Sequence, residues 1–95
     1  MANINKSPRI CRNKINNIIG LDLLHSLKIL DVSYNNLDDL PIGNLSNLST
    51  LYAHNNNLSF VNTFRLNQLK RLWLNNNQLS GWLDFNGNPL LEDLR

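Results

Sequence analysis

Residues 51–60 read LYAHNNNLSF. Three asparagines, Asn55, Asn56 and Asn57, follow His54 without a break. Such a stretch fits a polar low-complexity tract, a metal or catalytic site, or one piece of a regular fold. Its surroundings decide between them. A step of 21 residues back from Leu48, Leu51, Ala53, Asn56 and Leu58 lands on Leu27, Leu30, Val32, Asn35 and Leu37. The same step forward lands on Leu69, Leu72, Leu74, Asn77 and Leu79, and a further 22 on Leu91 and Leu94. A step of 22 back from the first copy gives Asn5, Pro8, Ile10, Asn13 and Ile15, whose first half has lost its leucines. Self-similarity at a fixed period marks a chain built of stacked units. Asn56 is therefore the repeating residue of the tract. Asn55 and Asn57 are expected to face solvent, and Asn55 to matter little for stability.

The spacing inside one copy indicates local structure. Leu30 and Val32, or Leu72 and Leu74, alternate with polar or variable residues, which is strand periodicity. Each strand is short, and the next begins 21 residues later. A return of that length makes a parallel neighbour, because an antiparallel one needs only a hairpin. After the asparagine, the apolar residues recur about every third position, which suits 3₁₀ or extended backbone. The asparagine sits where the strand bends away. Its side chain offers both a carbonyl and an NH₂, and can satisfy backbone groups that the bend would otherwise orphan. Asn13, Asn35, Asn56 and Asn77 are expected to stack as a ladder.

The motif L-x-x-L-x-L-x-x-N-x-L, present in three full copies, resembles that of the leucine-rich-repeat family from about Asn5 to Arg95. The 21–22-residue spacing is similar to that of the short-repeat classes, and LDFNGNPLLEDL (Leu83 to Leu94) is similar to segments of bacterial surface repeats. The resemblance implies a right-handed parallel β-solenoid of the α/β repeat class. It would have about four and a half turns, short strands on a concave face, and a 3₁₀ or extended convex side. Residues 1–95 would form one domain: a degraded repeat over 1–26, full repeats over 27–47, 48–68 and 69–90, and the start of another at 91–95. The resemblance also implies a protein-interaction module that uses its concave sheet.

The period assigns the residues of that sheet. One column is Arg9, Asp31, Tyr52, Trp73 and Arg95. Another is Ser7, Ile29, Thr50, Arg71 and Asp93. A third is Cys11, Ser33, His54 and Asn75, and a fourth Arg12, Tyr34, Asn55 and Asn76. Neighbours in a column lie ~4.8 Å apart. Exposed Trp, Tyr and Arg dominate binding hot spots. Tyr52, Trp73, Arg71, Arg95, Tyr34, Asp31 and His54 are therefore the candidate partner-binding residues. Aromatic ladders can also serve a sheet through cross-strand pairing, and Tyr34 suits that role.

Catalysis is not expected. Ser33, His54 and Asp31 suggest a triad, but Asp31 falls beside Tyr52 and not behind His54, so nothing orients the imidazole. Cys11 and His54 are two strands apart, ~10 Å, too far for a nucleophile–base pair or a shared zinc. His25 falls in the convex segment as a surface residue. No metal or cofactor is expected. A net charge of +2 is too small to argue for nucleic acid, and the basic residues Lys6, Arg9, Arg12 and Lys14 suit an N-terminal cap. No apolar run approaches the ~20 residues of a membrane span. One cysteine permits no internal disulfide. With no signal peptide at its start, the chain is expected to be cytoplasmic, or secreted or surface-exposed if it belongs to a longer protein. Sequons at Asn5, Asn44, Asn47 and Asn57 carry little weight in so asparagine-rich a chain. Leu91 and Leu94 leave apolar surface at the last strand. A homodimer through that turn is expected, with Trp82, Phe85 and Pro89 folding over it as the alternative.

Overall fold

The computed structural model describes residues 18–81 and 83–95. The expected strand at Arg9, ladder residue Asn13, Cys11, the basic cluster and Trp82 lie outside the described residues. A 3₁₀ turn at Leu21–Leu23 precedes four short strands: β1 (Ile29–Asp31), β2 (Thr50–Tyr52), β3 (Arg71–Trp73) and β4 (Asp93–Leu94). They form one parallel sheet in chain order, β1-β2-β3-β4. Leu30 pairs with Leu51, Leu51 with Leu72 and Leu72 with Leu94. The 21- and 22-residue steps of the sequence are thus the register of the sheet.

Each copy repeats the same hydrogen bonds. Thr50 N donates to Lys28 O, Arg71 N to Ser49 O and Asp93 N to Lys70 O, each at 3.1 Å. These bonds start the ladder between successive strands. Val32 N donates to Tyr52 O, Ala53 N to Trp73 O and Leu74 N to Arg95 O, extending the ladder past the strand ends. Between strands the backbone closes three-residue turns. Leu45 N bonds Ile42 O and Leu48 N bonds Leu45 O; Leu66 N bonds Thr63 O and Leu69 N bonds Leu66 O. Asn88 N bonds Phe85 O and Leu91 N bonds Asn88 O in the last copy. Such bonds are the 3₁₀ pattern in short pieces.

The repeated leucines stack into one core. Leu30, Leu51 and Leu72 are fully buried, as are Leu37 with Leu58 and Leu48 with Leu69. Burying a leucine contributes ~1.5–3 kcal/mol, and a single row supplies three from consecutive copies. Burial weakens at the last copy. Leu79, Phe85 and Leu91 only lean against the core, and Leu94 is 49% exposed.

Candidate functional site

The strands end in a sharp bend, and the same side chain supports it in each copy. Asn35 Nδ2 donates to Val32 O at 2.8 Å and Ser33 O at 3.2 Å. Asn56 Nδ2 donates to Ala53 O at 3.1 Å in its own copy and to Val32 O at 3.0 Å in the one before. Its Oδ1 accepts from Leu37 N at 3.0 Å. Asn77 repeats this with Leu74 O, Ala53 O and Leu58 N. One asparagine therefore closes its own bend and ties it to the preceding copy. The bend also has a backbone signature: Tyr34, Asn55 and Asn76 sit at φ 56, 58 and 59. That left-handed conformation is one Asn tolerates and most residues resist. Here the expectation for Asn55 is corrected. It is half-buried, holds the turn by its own backbone conformation, and accepts from Asn76 Nδ2. Asn57 is exposed but not idle, since its N bonds Leu37 O and its Oδ1 accepts from Gln78 Nε2.

With the bend fixed, one face of the strands presents Tyr52 and Trp73 side by side. Their ring centroids are 4.5 Å apart at an interplanar angle of 55°. Both are half-exposed. His54 lies 5.5 Å from Trp73 and 6.4 Å from Tyr52. Tyr34 meets His54 edge-on at 5.3 Å and is 39% exposed. On the far side, the Arg95 guanidinium stands 4.0 Å from the Trp73 ring centroid, a cation–π distance. The candidate residues Tyr34, His54, Tyr52, Trp73 and Arg95 therefore form one continuous strip across four copies.

Arg71 lies beside this strip and is exposed. Its pKa is raised further, chiefly by a polar contact with the Tyr52 phenol and then by the nearby charges of Asp93 and Glu92. Asp93 stands opposite Arg71 in the register, yet its carboxylate turns to the other pair. Oδ2 accepts from Trp73 Nε1 at 3.2 Å and Oδ1 from Arg95 Nε at 3.4 Å.

Asp31 requires a correction. The sequence placed it among the exposed contact residues, but it is buried, at 7% exposure. Its carboxylate is held by Ser33, whose Oγ donates to Asp31 Oδ1 at 2.7 Å and whose N donates to the same oxygen at 3.2 Å. The same bonds direct the Ser33 hydroxyl at the carboxylate and not at His54. His25 is exposed but links copies, its Nδ1 lying 3.3 Å from Asn44 O and its carbonyl accepting from Asn47 Nδ2 at 2.9 Å. Among the described residues, no group of three His, Cys, Asp or Glu side chains could hold a metal ion, and no helix is long and apolar enough to cross a membrane.

Two residues on the turn side were not singled out from the sequence. Asn88 occupies the place of Leu45 and Leu66 and is buried. Its Nδ2 donates to Thr63 O at 2.8 Å and Leu66 O at 2.9 Å. Gly87 packs directly on the Phe64 carbonyl. The signal was the GNP triplet at residues 87–89, where the period changes from 21 to 22.

Comparison with known families agrees with this geometry. The family model for the Leucine Rich Repeat matches residues 26–48, which span β1, its bend and the return to β2. That match, over one copy, supports a leucine-rich-repeat protein. No curated protein and no solved structure matches the chain. Leucine-rich repeats are in general protein-interaction modules without enzymatic activity, and the parallel sheet described above is consistent with the solenoid that such repeats build.

Proposed function

We propose that this leucine-rich-repeat chain is a single right-handed solenoid of about four and a half turns that binds a protein through its concave sheet. Tyr52, Trp73, Arg71, Arg95, Tyr34 and His54 form the contact surface. The observation that carries the reading is the Tyr52–Trp73 pair, half-exposed at 4.5 Å and bounded by Arg95. A cluster of Trp, Tyr and Arg at the centre of a rigid face is the composition of a binding hot spot. Asp31 serves the sheet and is not counted among the contacts.

The test uses peptides selected from a random displayed library against the intact chain. Selected peptides should lose binding to Tyr52→Ser/Trp73→Ser, while the far-UV circular dichroism of that variant stays unchanged. Peptides that bind the double variant with unchanged affinity place the interaction elsewhere and overturn the reading.

A second reading concerns self-association. Leu74, Leu79, Leu83, Phe85 and Leu94 line an open apolar hollow of about 310 Å³ beside β4. A second copy of the chain is the cover proposed for it, giving a homodimer through the C-terminal turn.

A further inference from the structure

A polar hollow lies away from the aromatic strip. Lys28, Ser49 and Lys70 occupy one repeat position, directly before β1, β2 and β3. Ser46 and Asn67 share a second position, and Asn47 and Gln68 a third. Together they line an open hollow of about 380 Å³, within the size range of small-ligand sites. Every lining side chain is polar, two are cationic and none is acidic. Lys28 and Lys70 are two strands apart, ~10 Å, with the half-buried Ser49 between them. Hydrogen bonding has spent the backbone acceptors of this wall. Lys28 O accepts from Ser49 N, Thr50 N and Ser49 Oγ, and Ser49 O from Lys70 N and Arg71 N. Asn67 Oδ1 accepts from Gln68 Nε2 at 3.3 Å. The donors remain. Among the described residues, neither lysine ammonium, the Ser46 hydroxyl nor the Asn67 NH₂ has a hydrogen-bonding or ionic partner. Glu92 follows Lys70 in the next copy, but it does not line the hollow and forms no ion pair with Lys70.

We propose that this hollow binds an esterified sugar, with a phosphate or sulfate ester held between Lys28 and Lys70. Two ammoniums on flexible four-carbon stems can close on one tetrahedral group above Ser49. Lysine binds such groups as a point charge, and no acidic side chain inside the hollow competes for it. The Ser46 hydroxyl and Asn67 NH₂ add neutral donors. The amide oxygens of Asn47 and Gln68 are the acceptors that are left, and they suit ring hydroxyls, which donate as well as accept. The hollow is open to water, so the expected affinity is weak, with Kd on the order of 1 mM.

The probes are glucose 6-phosphate and glucose 6-sulfate, with glucose and inorganic phosphate as their separate parts. Each is titrated into the ¹⁵N-labelled chain at constant ionic strength. At least one ester should shift the backbone amides of residues 46–49 and 67–70, and should bind more tightly than glucose or inorganic phosphate. A response to one ester names the source, and a response to both means that the site reads the shared oxyanion. Lys28→Gln and Lys70→Gln should each weaken ester binding about tenfold, the scale of one charge-assisted hydrogen bond. Arg65→Gln removes the same charge from an exposed residue outside the hollow and should leave binding unchanged. All three side chains are exposed, so these variants should keep the wild-type circular dichroism. Equal losses in the three variants would mean general charge attraction and would overturn the site. So would glucose or inorganic phosphate binding as tightly as the better ester, or no shift with either ester. The concave-face reading is independent of these results and is decided by the peptide test.

Discussion

Asn56 and Asn55 are adjacent, and they hold the same bend by different means. Asn56 acts through its side chain, which joins Val32 O, Ala53 O and Leu37 N across two copies. Asn56→Ala orphans Leu37 N and takes one donor each from Val32 O and Ala53 O, which Asn35 and Asn77 still reach, and should destabilise by ~1–3 kcal/mol. Asn55 acts through its backbone, held at φ 58. Asn55→Ala should cost about 1 kcal/mol, because a Cβ without a helping side chain disfavours the left-handed region. Asn55→Gly loses the same side-chain bond to Asn76 but accepts the conformation freely, so it should be milder than Asn55→Ala. Urea midpoints separate the two contributions: coincident midpoints for the Ala and Gly variants would show that conformation is not what residue 55 supplies. The residue scale also marks how far the sequence can be read. A period of 21 picks out Asn56, because the period is a property of side chains. It does not reveal that residues 34, 55 and 76 share a positive φ, because Tyr34 in that set is a poor left-handed former by type. Asp31 was misplaced for a related reason. Strand alternation puts it outward, yet it is buried and accepts from the Ser33 hydroxyl two residues on, a local bond that a period does not reveal.

At the scale of the element, the strands were legible and the last turn was not. Strands are set by alternation and repeat, and β1 to β4 fall in the columns that the period assigns. The turn over residues 85–91 replaces a core leucine by Asn88 and inserts one residue. Repetition is then broken where the packing is closest. Gly87 is the sharpest point of that packing, since a Cβ there would meet the Phe64 carbonyl. Backbone cannot step aside cheaply, so Gly87→Ala should cost ~1–3 kcal/mol, the scale of an overpacked site. Gly43 is the control, because its added Cβ would meet the Asn62 amide at 3.2 Å, a side-chain tip that can rotate away. Gly43→Ala should therefore be nearly neutral. Thermal melts of both variants test the pair, and equal losses would mean that close approach at Gly87 is not what requires glycine.

Over the whole molecule, stability and binding divide along the stack. In a repeat chain each copy contacts only its neighbours, so an interior copy is held on two sides and the last described copy on one. Leu51, fully buried in β2 between β1 and β3, belongs to the first kind. Leu51→Ala should cost ~2–5 kcal/mol, as a buried leucine truncation does. Leu94, 49% exposed in β4, belongs to the second, and Leu94→Ala should cost less than ~1 kcal/mol in the isolated chain. The exposed side of Leu94 instead bears on association. Together with Leu79, Leu83 and Phe85 it bounds the apolar hollow beside β4, and contiguous apolar surface of this kind favours a cover. If a second copy provides it, sedimentation velocity should show the wild type dimerising as concentration rises, and Leu94→Glu should shift the population to monomer with unchanged circular dichroism. A two-fold pairing puts Leu94 of each copy near the contact, so one substitution introduces repelling charges on both sides. A wild type that sediments as a monomer at the highest soluble concentration refutes the dimer. In that outcome the concave face is left as the molecule's interaction surface, and the hollow becomes a local packing gap in the last copy.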